Sequence, residues 1–302
     1  MADGPAPSEF VAIVTGAARG MGRAMTLALA EGGVRVVAAD LASSQDAMHE
    51  MLDIARQQGT RERIVAADCD VTQWRDCQNA VATAIDRFGA LHGLVNNAGI
   101  RVPDEELAAG ARRRRFYDHP IESWRRVIEI NVIGKFQMAK AVTPGLIERG
   151  FGRIVNITTS HPTMVAEAFS PYGPSKAAIE AATVIWAKDL ANTGVTANVL
   201  LPGGAGNTRM VPPEEVPDRA SLVQPEVMKA PIRWLMSRAS DGVTGRRFIG
   251  KMWDPALDPR VAAEQAGAPA GWGRCELSIG CPSGRTEEAE VAETSDSKER
   301  TE

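Results

Sequence analysis

Short apolar runs alternate along this chain with longer stretches of helical period. The runs fall at residues 10–15, 34–39, 63–67, 91–95, 153–159, 195–201 and 243–249. Runs of this length, rich in aliphatic residues, suit strands covered on both faces. Helical periodicity fills the first interval up to Glu31, then residues 43–58, 73–88, 120–148, 177–190 and 225–237. Gly32 and Gly33 stop the first helix, and Ser43 or Ser44 is placed to cap the second. Strand, glycine-rich loop, helix and strand over residues 10–40 make a βαβ unit.

The loop inside that unit carries the first chemistry. Thr15-Gly16-Ala17-Ala18-Arg19-Gly20-Met21-Gly22 spaces its glycines as G-x-x-x-G-x-G. Gly16 permits a tight turn. Gly20 and Gly22 let backbone approach a pyrophosphate resting on the free N–H groups of the helix start, with Arg19 and Met21 beside it. Asp40, ending the second run, can accept both ribose hydroxyls of an adenosine and repels a 2′-phosphate, which favours NAD(H) over NADP(H). Arg19 pulls the other way, since a guanidinium there can pair with a 2′-phosphate. Asp70 and Val71 follow the third run, where an adenine can rest; a turn or cap role explains Asp70 equally well. Asn96-Asn97-Ala98-Gly99 follows the fourth run, and its amides suit a cofactor ribose or a brace to a neighbouring strand.

Tyr172 and Lys176 sit one helical turn apart on one face. A free phenol titrates near pH ~10, and a neighbouring ammonium favours the phenolate. Lowering it by roughly 3 units takes about 4 kcal/mol of differential stabilisation. Asn131 lies among apolar residues of the 120–148 helix, so its amide must find partners. It is either a satisfied core amide or a local break that holds a water near the lysine. Residues 100–119 interrupt the rhythm with Pro103, acidic residues at 104–106 and the basic run Arg112, Arg113, Arg114 and Arg115. Such a run reads as solvated surface; the sharper alternative is that one of these arginines meets an anionic substrate group.

Composition narrows the classes. The chain has 302 residues, 44% of them hydrophobic, enough for a large core. A net charge of -4 gives no hint of nucleic acid as a partner. No apolar run reaches the length of a membrane span, and the start of the chain has neither the basic nor the apolar part of a signal peptide. Cys69, Cys77, Cys275 and Cys281 lack metal-binding spacing and read as reduced thiols of a cytoplasmic protein. No metal is expected. Residues 1–9 and 282–302 are small and polar and are expected to be disordered.

Taken together in order and spacing, these motifs resemble the short-chain dehydrogenase/reductase family. Thr15-Gly16-x-x-x-Gly20-x-Gly22 is similar to its cofactor loop, Asp70-Val71 to its adenine contact, and Asn96-Asn97-Ala98-Gly99 to its signature after strand four. Asn131 and the Tyr172-x-x-x-Lys176 pair are similar to its catalytic groups, and Pro202-Gly203 to its turn after strand six. The resemblance implies an α/β, Rossmann-like, doubly wound parallel sheet of seven strands with helices on both faces. It implies a catalytic domain over residues 10–254. The C-terminal end departs from the family pattern: residues 255–281 are read as an extension, its part up to Trp272 packing on a subunit neighbour, with a homodimer or homotetramer expected. It implies hydride transfer between NAD, less readily NADP, and a small alcohol or carbonyl substrate. Tyr172 would move the proton, Lys176 would bind the nicotinamide ribose and lower the phenol pKa, and Asn131 would hold a relay water. Asn97, Ala98, Gly99, Pro202, Gly203 and Thr208 would contact the cofactor, Thr208 at the carboxamide. Thr159 is in register for the family's usual catalytic serine, with Ser160 next to it as the alternative. An NADPH-dependent 3-ketoacyl reductase and a non-catalytic nucleotide-binding regulator are the other readings.

Overall fold

The apolar runs become strands. In the computed structural model, which describes residues 9–102 and 114–271, they form β1 (Val11–Thr15), β2 (Arg35–Asp40), β3 (Ile64–Asp68), β4 (Gly93–Asn96), β5 (Gly152–Ile157), β6 (Val195–Leu201) and β7 (Arg246–Ile249). Each is parallel to its neighbour, and the order is β3-β2-β1-β4-β5-β6-β7 with one further strand beyond. Residues alternate between two cores, one on each face of the sheet. From β1 and the residue before it, Phe10, Ala12 and Val14 enter one core and Val11 and Ile13 the other. That double burial is why the strands read as unbroken apolar runs.

Strand order reverses between β1 and β4, and their C-terminal ends part there to leave a crevice. The helices that flank it are α1 (Gly20–Glu31), α2 (Gln45–Gln57), α3 (Trp74–Phe88), α4 (Ile121–Ile128), α5 (Lys135–Arg149), the short α6 (His161–Met164), α7 (Tyr172–Asp189) and α8 (Lys229–Leu235).

Several expectations change. The sheet has eight strands, not seven: β8 (Gly267–Pro269) pairs antiparallel with β7. Without it, β7 would present a row of unpaired backbone groups at the sheet edge. The chain beyond 254 returns through α9 (Pro259–Ala266) to cover that edge, so this segment adds a strand to the chain's own sheet. Trp253 packs on Trp234 and Phe248, with ring centres 5.5 and 6.4 Å away. The single helix expected at 120–148 is α4 and α5 joined by a π-helical turn, Glu129–Gly134, with Asn131 inside it. The helix expected from 177 starts earlier, at Tyr172, because Pro174 falls in the first turn, where its missing N–H breaks no helical bond. The helix at 225–237 divides into a 3-10 turn, Pro225–Met228, and α8. Ser44 precedes α2 without a side-chain capping bond; a 3-10 turn, Ala42–Ser44, leads into that helix instead. The expectations for residues 1–8, for Arg112 and Arg113, for Cys275 and Cys281 and for 282–302 lie outside the described residues.

Candidate active site

The crevice is built from the loop after β1. Gly16 and Gly20 take φ of 63° and 52°, a region that L side chains avoid. Asn97, from the end of β4, clamps this loop: its Nδ2 donates to the carbonyls of Thr15 at 2.9 Å and Gly16 at 3.1 Å. The Thr15 hydroxyl accepts from the backbone N–H of Asn97 and Ala98, both at 3.0 Å. Gly22 also has a packing job: a Cβ there would run into the Gly16 carbonyl oxygen, so its lack of a side chain lets the helix close onto the loop. Helix α1 begins without a side-chain cap and without an acidic residue in its first turn. Its leading N–H groups therefore suit an anion, and the loop fits the diphosphate of a dinucleotide.

Asp40 ends β2 with both oxygens engaged, Oδ2 by the Ala18 N–H and Oδ1 by the Leu41 N–H, each at 2.8 Å. It thus tethers the glycine loop and keeps further lone pairs for a ribose. Arg19 stands half-buried at the entry to α1. Asp70 makes a turn: its Oδ1 accepts from the Thr72 N–H and hydroxyl at 3.0 and 2.8 Å. Val71 is buried and lies where a Cβ on Gly134 would strike it. The segment after β6 folds back over the loop. The Thr208 methyl lies 3.0 Å from where a Gly20 Cβ would be, and Met21 reaches Gly206. Pro202 accepts from the Lys251 N–H at 3.0 Å, and Gly203 has φ 96°.

The reactive groups meet at the start of α7. Lys176 Nζ lies 5.4 Å from the centre of the Tyr172 ring and donates to the Ile157 carbonyl at 3.2 Å. The Thr159 side chain lies beside the Tyr172 phenol. Ser160 instead shares a 2.9 Å hydrogen bond with Thr163 inside the turn of α6. Burial pushes the Tyr172 phenol up to about 12, opposed by the Thr159 side chain and the charge of Arg101. Burial brings Lys176 down to about 8. Asn131 Nδ2 donates to the Ile100 carbonyl and to Ser175 Oγ, and its Oδ1 accepts from the Ile100 N–H. Ser175 Oγ in turn donates to the Tyr172 carbonyl at 2.7 Å. Gly99 lies against these groups, since a Cβ there would sit 2.9 Å from Asn131 Oδ1 and 3.4 Å from Lys176 Nζ.

Four groups at the site escaped the sequence reading. Lys135 is fully buried; its Nζ donates to the Asn96 carbonyl, and Asn96 Nδ2 returns a bond to the Lys135 carbonyl at 2.7 Å. Burial, reinforced by the charge of Lys176, holds Lys135 far below its ordinary value. Its place one turn after Asn131 was the available signal. Arg101 pairs with Glu215 through both terminal nitrogens, at 2.6 and 3.1 Å. His119 lines a pocket with Arg101 and Tyr172. Of the arginine run, Arg115 pairs with Glu167 across exposed surface. Among the described residues, Arg101 stands beside Tyr172, two residues past Gly99, where an isolated charge drew no notice.

The family model described as short chain dehydrogenase matches residues 10–217. A 3-oxoacyl-[acyl-carrier-protein] reductase from Synechocystis is 32% identical over 244 residues, covering 79% of this chain and 94% of that protein. A short-chain type dehydrogenase/reductase from Picea abies is 36% identical over 197 residues, covering 64% of this chain and 69% of that one. The crystal structure of a short-chain type dehydrogenase/reductase from Mycobacterium marinum superposes with a TM-score of 0.69 at 27% identity, covering 80% of this chain and 92% of that one.

Proposed function

The chain belongs to the short-chain dehydrogenase family, and on that premise we propose that it moves a hydride between a nicotinamide cofactor and a secondary alcohol or the corresponding ketone. One observation carries the reading: Tyr172 has the Thr159 side chain on its phenol and the Lys176 ammonium 5.4 Å from its ring. A phenol, a hydrogen-bonding hydroxyl and a cation together make a proton-transfer set. The cofactor, when bound, supplies the hydride and, when oxidised, a positive charge. The glycine loop would hold its diphosphate, Asp40 its adenosine ribose, Lys176 its second ribose and Thr208 its carboxamide.

In reduction, Tyr172 gives its proton to the carbonyl oxygen while Thr159 donates to that oxygen. In oxidation, the same two groups act in reverse. Asn131 keeps one lone pair of Oδ1 for a relay water and fixes Ser175 under Tyr172. Bringing the phenol from about 12 to neutrality would take about 7 kcal/mol. The free protein therefore carries Tyr172 as the neutral acid, the form that reduction needs.

Asp40 favours NAD(H). The name of the Synechocystis relative supports a second reading, reduction of a 3-oxoacyl group with NADPH, in which Arg19 would take the 2′-phosphate. Ile133, Phe136 and Ile185 are large apolar side chains left exposed, which supports association with a second copy of the chain, as homodimer or homotetramer. Among the described residues no helix is long and apolar enough to cross a membrane, and Cys69 and Cys77 are buried and free, which suits the cytoplasm. Melting temperature with NAD⁺, NADH, NADP⁺ and NADPH at equal concentration tests the cofactor. At a hundredfold excess over Kd, binding adds about 2.7 kcal/mol. A rise with NAD(H) is expected; a rise with NADP(H) alone overturns the role given to Asp40, and no rise with any of them overturns the function.

A further inference from the structure

Among the described residues, three buried nitrogens beside Tyr172 find no hydrogen-bond partner: Nδ1 and Nε2 of His119 and Nε of Arg101. Both residues line the pocket that Tyr172 borders, with Val102 and Phe169 as its apolar wall. A buried polar atom left unpaired is costly, and native structures hold few of them. Several on one pocket wall point to a ligand that completes them. The fold does not use these atoms: His119 precedes α4, Arg101 follows the loop after β4, and none of the three nitrogens serves a helix end or a turn.

Their chemistry narrows the ligand. The terminal nitrogens of Arg101 are taken by Glu215, an ion pair whose side chains are 13% and 18% exposed. The guanidinium charge is thus met within the protein, and the pocket offers hydrogen bonds rather than net positive charge. The Nε–H of Arg101 is an obligate donor, whereas a neutral imidazole offers one donor and one acceptor. A hydroxyl can accept from the first and donate to the second, and a carbonyl oxygen can accept from both. A carboxylate would be repelled by Glu215, which already balances the guanidinium.

We propose that His119 and Arg101 hold a second, uncharged oxygen function of the substrate, so that the preferred substrates are ketones or alcohols carrying a further hydroxyl or carbonyl group. This rests on the hydride-transfer reading and names the substrate class of the same site. The two side chains touch the substrate away from the reacting carbon and set specificity.

The test uses butanone, acetoin, diacetyl and acetoacetate, four-carbon ketones without and with a second oxygen function, reduced by NADH or NADPH. Acetoin and diacetyl are expected to exceed butanone and acetoacetate in kcat/KM by roughly 100-fold, the cost of leaving two buried groups unpaired. In His119→Phe, or His119→Leu if the first variant loses its nucleotide-dependent rise in melting temperature, the preference over butanone is expected to fall at least tenfold, on the side of KM. Equal use of all four ketones, a preference for acetoacetate, or a preference that survives in the variant would each overturn the proposal. Turnover of none of them with either nucleotide would count against hydride transfer itself. The pocket is then judged by calorimetric binding of acetoin, which supports the assignment if lost in His119→Phe and overturns it if unchanged.

Discussion

Lys176 keeps its ammonium in the interior, against the Ile157 carbonyl, and burial brings it down to about 8 from 10.5. The unfolded chain therefore holds a proton, between these values, that the folded chain has released. The destabilisation is fully present below pH 8 and is relieved as pH rises towards 10.5; the shift corresponds to about 3 kcal/mol. Lys176→Met, in urea unfolding without cofactor, is expected to be more stable than the parent at pH 7, with the gap closing at high pH. A gap that does not change with pH would contradict this. Lys176 and Tyr172 were legible as a pair because helical spacing alone puts them on one face. The depth of burial was not, since it depends on what β5 and the loop after β4 place over them. Lys135 was hidden for the same reason. A lysine in a helix reads as surface until the partner that buries it, here Asn96, is in place.

The π turn at Glu129–Gly134 is the element that sets the geometry of the centre. It turns Asn131 towards Ile100 and Ser175, joining the loop after β4 to the first turn of α7. Asn131→Ala would leave the N–H and C=O of Ile100 without their partners. Unfolding free energy is expected to drop by about 2–3 kcal/mol, with a lower kcat and a smaller change in cofactor affinity. Unaltered stability would show that the amide is not the bridge described. A single wide turn barely disturbs apolar periodicity, which is why residues 120–148 read as one helix. The glycine loop, by contrast, was legible because Gly16 and Gly20 need φ values that few other residues adopt. The reason for Gly22, contact with the Gly16 carbonyl, required the helix to be docked.

Across the molecule, the far edge of the sheet supports the reactive centre. Arg247 on β7 lies 3.2 Å from the fully buried Glu180 of α7 and donates to the Thr159 carbonyl at 3.4 Å. Glu180 also accepts from the Thr158 hydroxyl at 3.3 Å and the Gly271 N–H at 3.4 Å. Strand β7, the catalytic helix and the segment carrying Thr159 are therefore held by one ion pair. Glu180→Gln leaves Arg247 without a countercharge, and chemical denaturation is expected to register a loss of about 3–5 kcal/mol; a loss under ~1 kcal/mol would contradict the buried pairing. The strand order was accessible through family resemblance, but β8 was not. Gly267, Ala268 and Pro269 carry no strand signature, and they pair because β7 offers an open edge. The pocket was likewise illegible: Arg101, His119 and Glu215 meet only through the fold.

The central claim is that Tyr172 moves the proton in a nicotinamide-linked oxidation or reduction. Its most direct test is turnover, read as nicotinamide absorbance, of parent and Tyr172→Phe on the same ketone at saturating cofactor. The account predicts a loss in kcat of roughly 10²–10⁴-fold, with the nucleotide-dependent rise in melting temperature retained. Turnover of the Tyr172→Phe variant at the parent rate would contradict it.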